Sequence, residues 1–103
     1  MVLRITIEEG ARSRAKLRIE GRVVADWADM LERECVDLLR FWGAMSLDLA
    51  GVSFVDRAGV EALGRLSRAG VEIRCPAGPV ASVLEGEGIR VAHDAGRVDD
   101  GRI

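Results

Sequence analysis

Hydrophobic periodicity changes along this chain, and that change limits the possible folds more than any single residue does. Leu3, Ile5 and Ile7 alternate with Arg4, Thr6 and Glu8, a period of two that predicts a half-buried strand. Leu17 and Ile19 alternate with Lys16, Arg18 and Glu20 and predict a second strand ending at Gly21. The polar stretch 10–14 between them predicts an antiparallel hairpin with one wet face. From residue 27 the spacing lengthens: Trp27, Met30, Leu31, Cys35, Leu38, Leu39 and Trp42 recur at three and four. Asp29, Glu32, Arg33, Asp37 and Arg40 fill the other side. This predicts an amphipathic helix with Asp26 as N-cap and Gly43 as its stop.

Alternation then resumes. Met45, Leu47 and Leu49 predict a central strand with a turn at Gly51, and 53–57 reads as the loop into a second helix over about 57–68. Val60, Ala62, Leu63 and Leu66 are its expected buried stripe. Arg57, Glu61 and Arg65 form an exposed row at spacing four, with Glu61 before Arg65 in the favourable order. Gly70 ends this helix; Val71, Ile73 and Cys75 predict a fourth strand. Pro79 opens a short third helix carrying Val80, Val83 and Leu84, stopped by Gly86 and Gly88. Ile89 and Val91 suggest a last strand. The order β-β-α-β-α-β-α-β predicts an α/β fold: a small mixed sheet with an N-terminal antiparallel hairpin and helices packed on one face. One domain is expected over 1–92, followed by a polar C-terminal tail at 93–103.

Several functions are disfavoured by composition. Fifteen basic against seventeen acidic residues give a formal charge of −2, too even for a nucleic-acid footprint or a polybasic membrane patch. The start, MVLRITIEEG, lacks the apolar stretch of a signal peptide, and no apolar run approaches the roughly 20 residues that span a bilayer. A cytoplasmic soluble protein without direct membrane insertion is therefore expected. Cys35 and Cys75 are expected as reduced thiols, with Cys35 on the buried stripe of the first helix. Trp27 and Trp42 are expected in the same core. A zinc site would need both cysteines and His93 to converge with a carboxylate, and no metal or cofactor is expected. The chain has no phosphate-binding glycine loop, no dinucleotide fingerprint and no nucleophile elbow. Its carboxylate pairs, such as Glu8–Glu9 and Asp99–Asp100, lie in polar segments. A non-catalytic protein is the expectation.

One stretch stands apart. In FVDRAGVEAL, residues 54–63, Asp56 is placed to cap a helix through the N–H of Ala58 or Gly59, and its charge suits the helix dipole. Val55 and Val60 stand where a hydrophobic staple closes. A well-made helix start accounts for those three residues. It does not account for Ala58-Gly59 or for the exposed row that begins at Arg57.

The longer run LDLAGVSFVDRAGVEAL, from Leu47 to Leu63, resembles the STAS domain family of bacterial anti-sigma factor antagonists. In that family a strand reading like LDLSGV leads through a D-S-S-G stretch into a helix. The resemblance covers about residues 3–91 and extends to the hairpin, to the helix with Leu31 and Leu38, and to the VLEGEGI segment. It implies a regulatory protein-binding module whose second serine is phosphorylated by a partner that is both anti-sigma factor and kinase. It also implies an alternative, a small soluble subunit of an ABC-type lipid or solute transporter. The implied partner surface comprises Ser53, Asp56, Arg57, Ala58, Gly59 and Glu61. Here the first serine position is Arg57 and the acceptor position is Ala58, which has no hydroxyl, so the phosphorylation site is degenerate. Ser53 is the nearest remaining hydroxyl. Val24 stands where relatives often carry an acidic residue.

Overall fold

The computed structural model describes residues 3–9 and 15–93, so the link at 10–14 and the tail after His93 lie outside the described residues. Strand β1 (Leu3–Glu9) pairs antiparallel with β2 (Ala15–Val23), as the two short-period runs predict. Helix α1 (Ala25–Trp42) returns the chain to β3 (Met45–Val55), which lies parallel to β2. Helix α2 (Arg57–Arg68) leads to β4 (Glu72–Arg74), parallel to β3, and α3 (Pro79–Gly86) follows. The sheet order is β1-β2-β3-β4.

One face of this sheet is apolar and covered by the helices. On β2, Ala15, Leu17, Ile19 and Val23 are buried, while Arg18 and Arg22 between them are exposed. Leu31 and Cys35 of α1, Leu63 and Leu66 of α2, and Leu84 of α3 meet Leu47, Leu49 and Ile73 of the sheet in one core. Each such leucine contributes about 1.5–3 kcal/mol by leaving water.

Four expectations are corrected. Gly51 makes no turn: β3 runs on to Val55, and the extra residue is absorbed where the register passes from Arg18 opposite Asp48 to Glu20 opposite Gly51. A bulge of this kind bends a strand without ending it, and Asp48 Oδ1 braces it by accepting from the Ala50 N–H at 2.9 Å. Gly21 likewise lies inside β2 at φ 105°, at a second shift of register. The last predicted strand shrinks to one parallel bridge, Arg74 with Ala92, although Ile89 and Val91 are buried as expected. Finally, Trp27, expected in the core, is 38% exposed.

Candidate functional site

The distinctive region is the end of the sheet where β2 and β3 hand over to the first turns of α1 and α2. Asp56 is the N-cap of α2, as its sequence position predicts, with Oδ1 accepting from the Gly59 N–H at 2.8 Å. Its second oxygen does something no local pattern foretells. Oδ2 accepts from the Ala25 N–H at 3.0 Å, 31 positions away at the start of α1. Helix α1 thus begins two residues earlier than expected: Val24, not Asp26, is its N-cap, and Val24 offers no side-chain cap. Ala25 sits at φ 48°, a left-handed conformation that costs a residue with a Cβ about 1–2 kcal/mol. One carboxylate therefore closes both helix starts, and the Asp56 N–H donates to the Val23 carbonyl at 3.3 Å to complete the stitch.

Gly59, unexplained by the helix start alone, has a steric reason. A Cβ there would collide with the Val23 carbonyl oxygen and lie 2.7 Å from Val55 Cγ1. The first turn of α2 is pressed against the strand ends closely enough that only glycine fits. Ala58 beside it is half-buried and packs against the core. Arg57 points the other way: its side chain is 85% exposed and makes an ion pair of 3.6 Å with Glu61, one turn on.

The six sequence-predicted residues thus divide. Asp56, Arg57 and Glu61 line one shallow cleft of about 190 Å³ together with Val55, Val60, Val83 and Glu87. Val55 and Val60, the expected staple pair, form part of its wall. Ala58 and Gly59 lie behind it as packing. Ser53 belongs to the strand and not to a loop, and its Oγ donates to the Gly21 carbonyl at 3.3 Å. A second depression of about 180 Å³ shares Val60, Glu61 and Glu87, which makes a continuous groove between α2 and α3.

Sequence reading missed two residues here. Phe54 is 47% exposed, with the Arg22 guanidinium 5.4 Å from its ring centre, and Val83 is exposed on α3. Alternation assigned Phe54 no face because the bulge at Gly51 resets the period of two. The expected Glu61–Arg65 pair is also replaced. Arg65 reaches across to α1, where Nε and Nη2 each donate to a Glu32 oxygen at 2.8 Å. That bond holds the Glu32 carboxyl below its ordinary value, against the opposing effect of partial burial.

Away from this end, both cysteines are free and buried. Burial pushes the Cys35 thiol up to about 12, and Cys75 is raised for the same reason, so neither is disposed to ionise near neutrality. His93 Nε2 lies 2.9 Å from Glu85 Oε2 on α3. No group of three or more metal-ligating side chains occurs among the described residues, and no described helix is long and apolar enough to cross a membrane.

No protein-family model and no curated protein matches the sequence. Solved structures do match it. An anti-sigma factor antagonist from Mycobacterium paratuberculosis superposes with a TM-score of 0.73 at 15% identity, covering 84% of this chain and 78% of that one. The anti-sigma factor antagonist SpoIIAA in its unphosphorylated form gives 0.71 at 15% identity, covering 89% of each chain. The chain has the STAS fold. Murine Slc26a9, an anion transporter, matches at a TM-score of 0.63 and 15% identity, with 84% of this chain covering 17% of that one. The STAS fold is therefore shared by this chain, by free-standing antagonists and by a part of a membrane transporter.

Proposed function

We propose that this STAS-fold protein is a non-catalytic regulatory module that binds a protein partner through the β3–α2 junction and the groove between α2 and α3. The carrying observation is the division of labour around Asp56. The carboxylate fixes the backbone of both helix starts, and Arg57 is left projecting 85% exposed at a cleft walled by three valines and three carboxylates. Arg57 on a rigid base, beside exposed Val83 and among the carboxylates of Asp56, Glu61 and Glu87, suits a partner surface that sets one carboxylate against Arg57 and apolar and basic groups against the rest of the cleft.

SpoIIAA takes both an unphosphorylated and a phosphorylated form. The resemblance puts the acceptor of such a switch at position 58, and alanine there carries no hydroxyl. Binding at this surface is accordingly constitutive with respect to that residue. An anti-sigma factor of the serine-kinase kind in the bacterial cytoplasm, and through it a sigma factor, is the partner this reading favours. The Slc26a9 match supports a second reading, a STAS subunit serving a transporter, with a transporter component on the same surface.

The test is phosphate transfer. Incubated with an anti-sigma kinase and ATP, the protein should take no phosphate at residue 58, and Ala58→Ser should restore an acceptor there. Label on wild-type Ser53 would overturn the claim of constitutive binding. Failure of any kinase of this class to bind the wild-type protein would favour the transporter reading.

A further inference from the structure

The two edges of the sheet are finished differently. At the β4 edge the chain folds back alongside: the Cys75 N–H donates to the Ala92 carbonyl at 2.9 Å, and the Ala92 N–H to the Ile73 carbonyl at 2.8 Å. At the β1 edge no described residue pairs with the outer side of a strand seven residues long. Exposed edges are ordinarily blunted by brevity, charged side chains, proline or a bulge, and of these β1 has only charges, at positions 4, 8 and 9. The segment LRITIEE has no proline or glycine, and its register with β2 runs through consecutive pairs without a shift.

The apolar face of this edge is also short of cover. Ile7 is 56% exposed, although Leu17 opposite it on the same face is fully buried. Helix α1 packs over β2 and β3. Beyond its C-cap, the Ala44 carbonyl accepts from the Ala15 N–H at the start of β2, and its last turn carries Phe41 at 81% exposure, edge-on to Trp42.

We propose that β1 is a dimerisation edge, occupied by β1 of a second copy of this chain running antiparallel about a twofold axis at Thr6. The sequence of the strand is complementary to itself in that register. Position 4 (Arg) falls opposite position 8 (Glu) twice, Ile5 falls opposite Ile7 twice, and Thr6 meets Thr6 on the axis. A slip of one residue would set isoleucines on the polar face. A slip of two in either direction would carry one charge of each pair past the end of the partner strand. Only the axis at Thr6 pairs every charge between positions 4 and 8 while burying both isoleucines. The two four-stranded sheets would then join as one, and the outer backbone groups of β1, without a partner among the described residues, would be satisfied.

Sedimentation equilibrium of the whole chain, from micromolar to millimolar, tests this directly. A monomer–dimer equilibrium is expected. Glu8→Arg, which sets like charges opposite one another twice, should raise the dimer dissociation constant about tenfold or more. The double variant Arg4→Glu with Glu8→Arg should recover most of that loss, with circular dichroism confirming that each variant folds. Thr6→Cys should form an interchain disulfide on mild oxidation, because cross-strand neighbours bring Cβ atoms to within about 4.5–5.5 Å. Cys35 and Cys75, both buried, would stay out of that reaction. A chain that remains monomeric throughout overturns the proposal and leaves the edge to a strand from another protein. A dimer indifferent to both the charge reversal and Thr6→Cys oxidation overturns it in favour of a different surface.

Discussion

Arg57 and Arg65 stand two turns apart on the same row of α2, and the molecule uses them in opposite ways. Arg65 reaches out of its helix to grip both oxygens of Glu32 on α1, whose side chain is only 20% exposed. Arg57 stays on its own helix, loosely paired with Glu61 and almost wholly in solvent. Geometry separates the two roles. A planar guanidinium held by two hydrogen bonds locks the α1–α2 packing, while a single exposed pair at 3.6 Å holds little and is easily exchanged for a partner's carboxylate. The same helix thus carries an internal brace at its C-terminal half and an available cation at its N-terminal half.

That contrast depends first on the start of α2 being rigid, so the largest expected effect comes from Asp56. Asp56→Ala leaves the N–H groups of Gly59 and Ala25 without their acceptor and should cost about 2–3 kcal/mol in urea unfolding. Asp56→Asn retains one acceptor oxygen and should cost about half as much. An Asp56→Asn variant as stable as the wild type would show that only one of the bonds matters. The brace comes next. Because the folded Glu32 carboxyl is held below its ordinary 4.5, its contribution is present above that value and is lost as pH falls through the lowered folded pKa. Glu32→Gln should therefore lower the urea midpoint at neutral pH and flatten the decline in stability on acidification below about 4.5. A variant with an unchanged acid limb would remove the distinction between the two arginines. The smallest expected effect on stability is that of Arg57→Ala, which should leave the unfolding midpoint unchanged within about 0.5 kcal/mol.

Much of this arrangement is legible in the sequence because it is local. Alternation in Leu3–Ile7 and Leu17–Ile19, and the three-and-four spacing after Trp27, placed the hairpin, the helices and the sheet class. Asp56 as a cap was legible for the same reason. What could not be read is non-local or depends on a single inserted residue. The bond from Asp56 to Ala25 spans 31 positions, and no spacing rule reports it. Glu32 and Arg65 are 33 positions apart, so the row on α2 suggested a neighbour, Glu61, in place of the true partner. The bulge before Gly51 shifted the alternation and so hid the outward face of Phe54. Ile89 and Val91 were apolar because they pack under α2 and β4, not because they form a strand.

The central claim is that the Arg57 end of α2 faces a partner while the Arg65 end serves the fold. It is tested most directly by quantitative affinity capture from the native cells, with wild-type protein, Arg57→Glu and the exposed-helix control Arg33→Glu as baits. The account predicts an ATP-binding kinase-like protein or a transporter component that is retained by wild type and by Arg33→Glu and reduced about tenfold or more by Arg57→Glu. The same proteins recovered at equal levels by all three baits would contradict it.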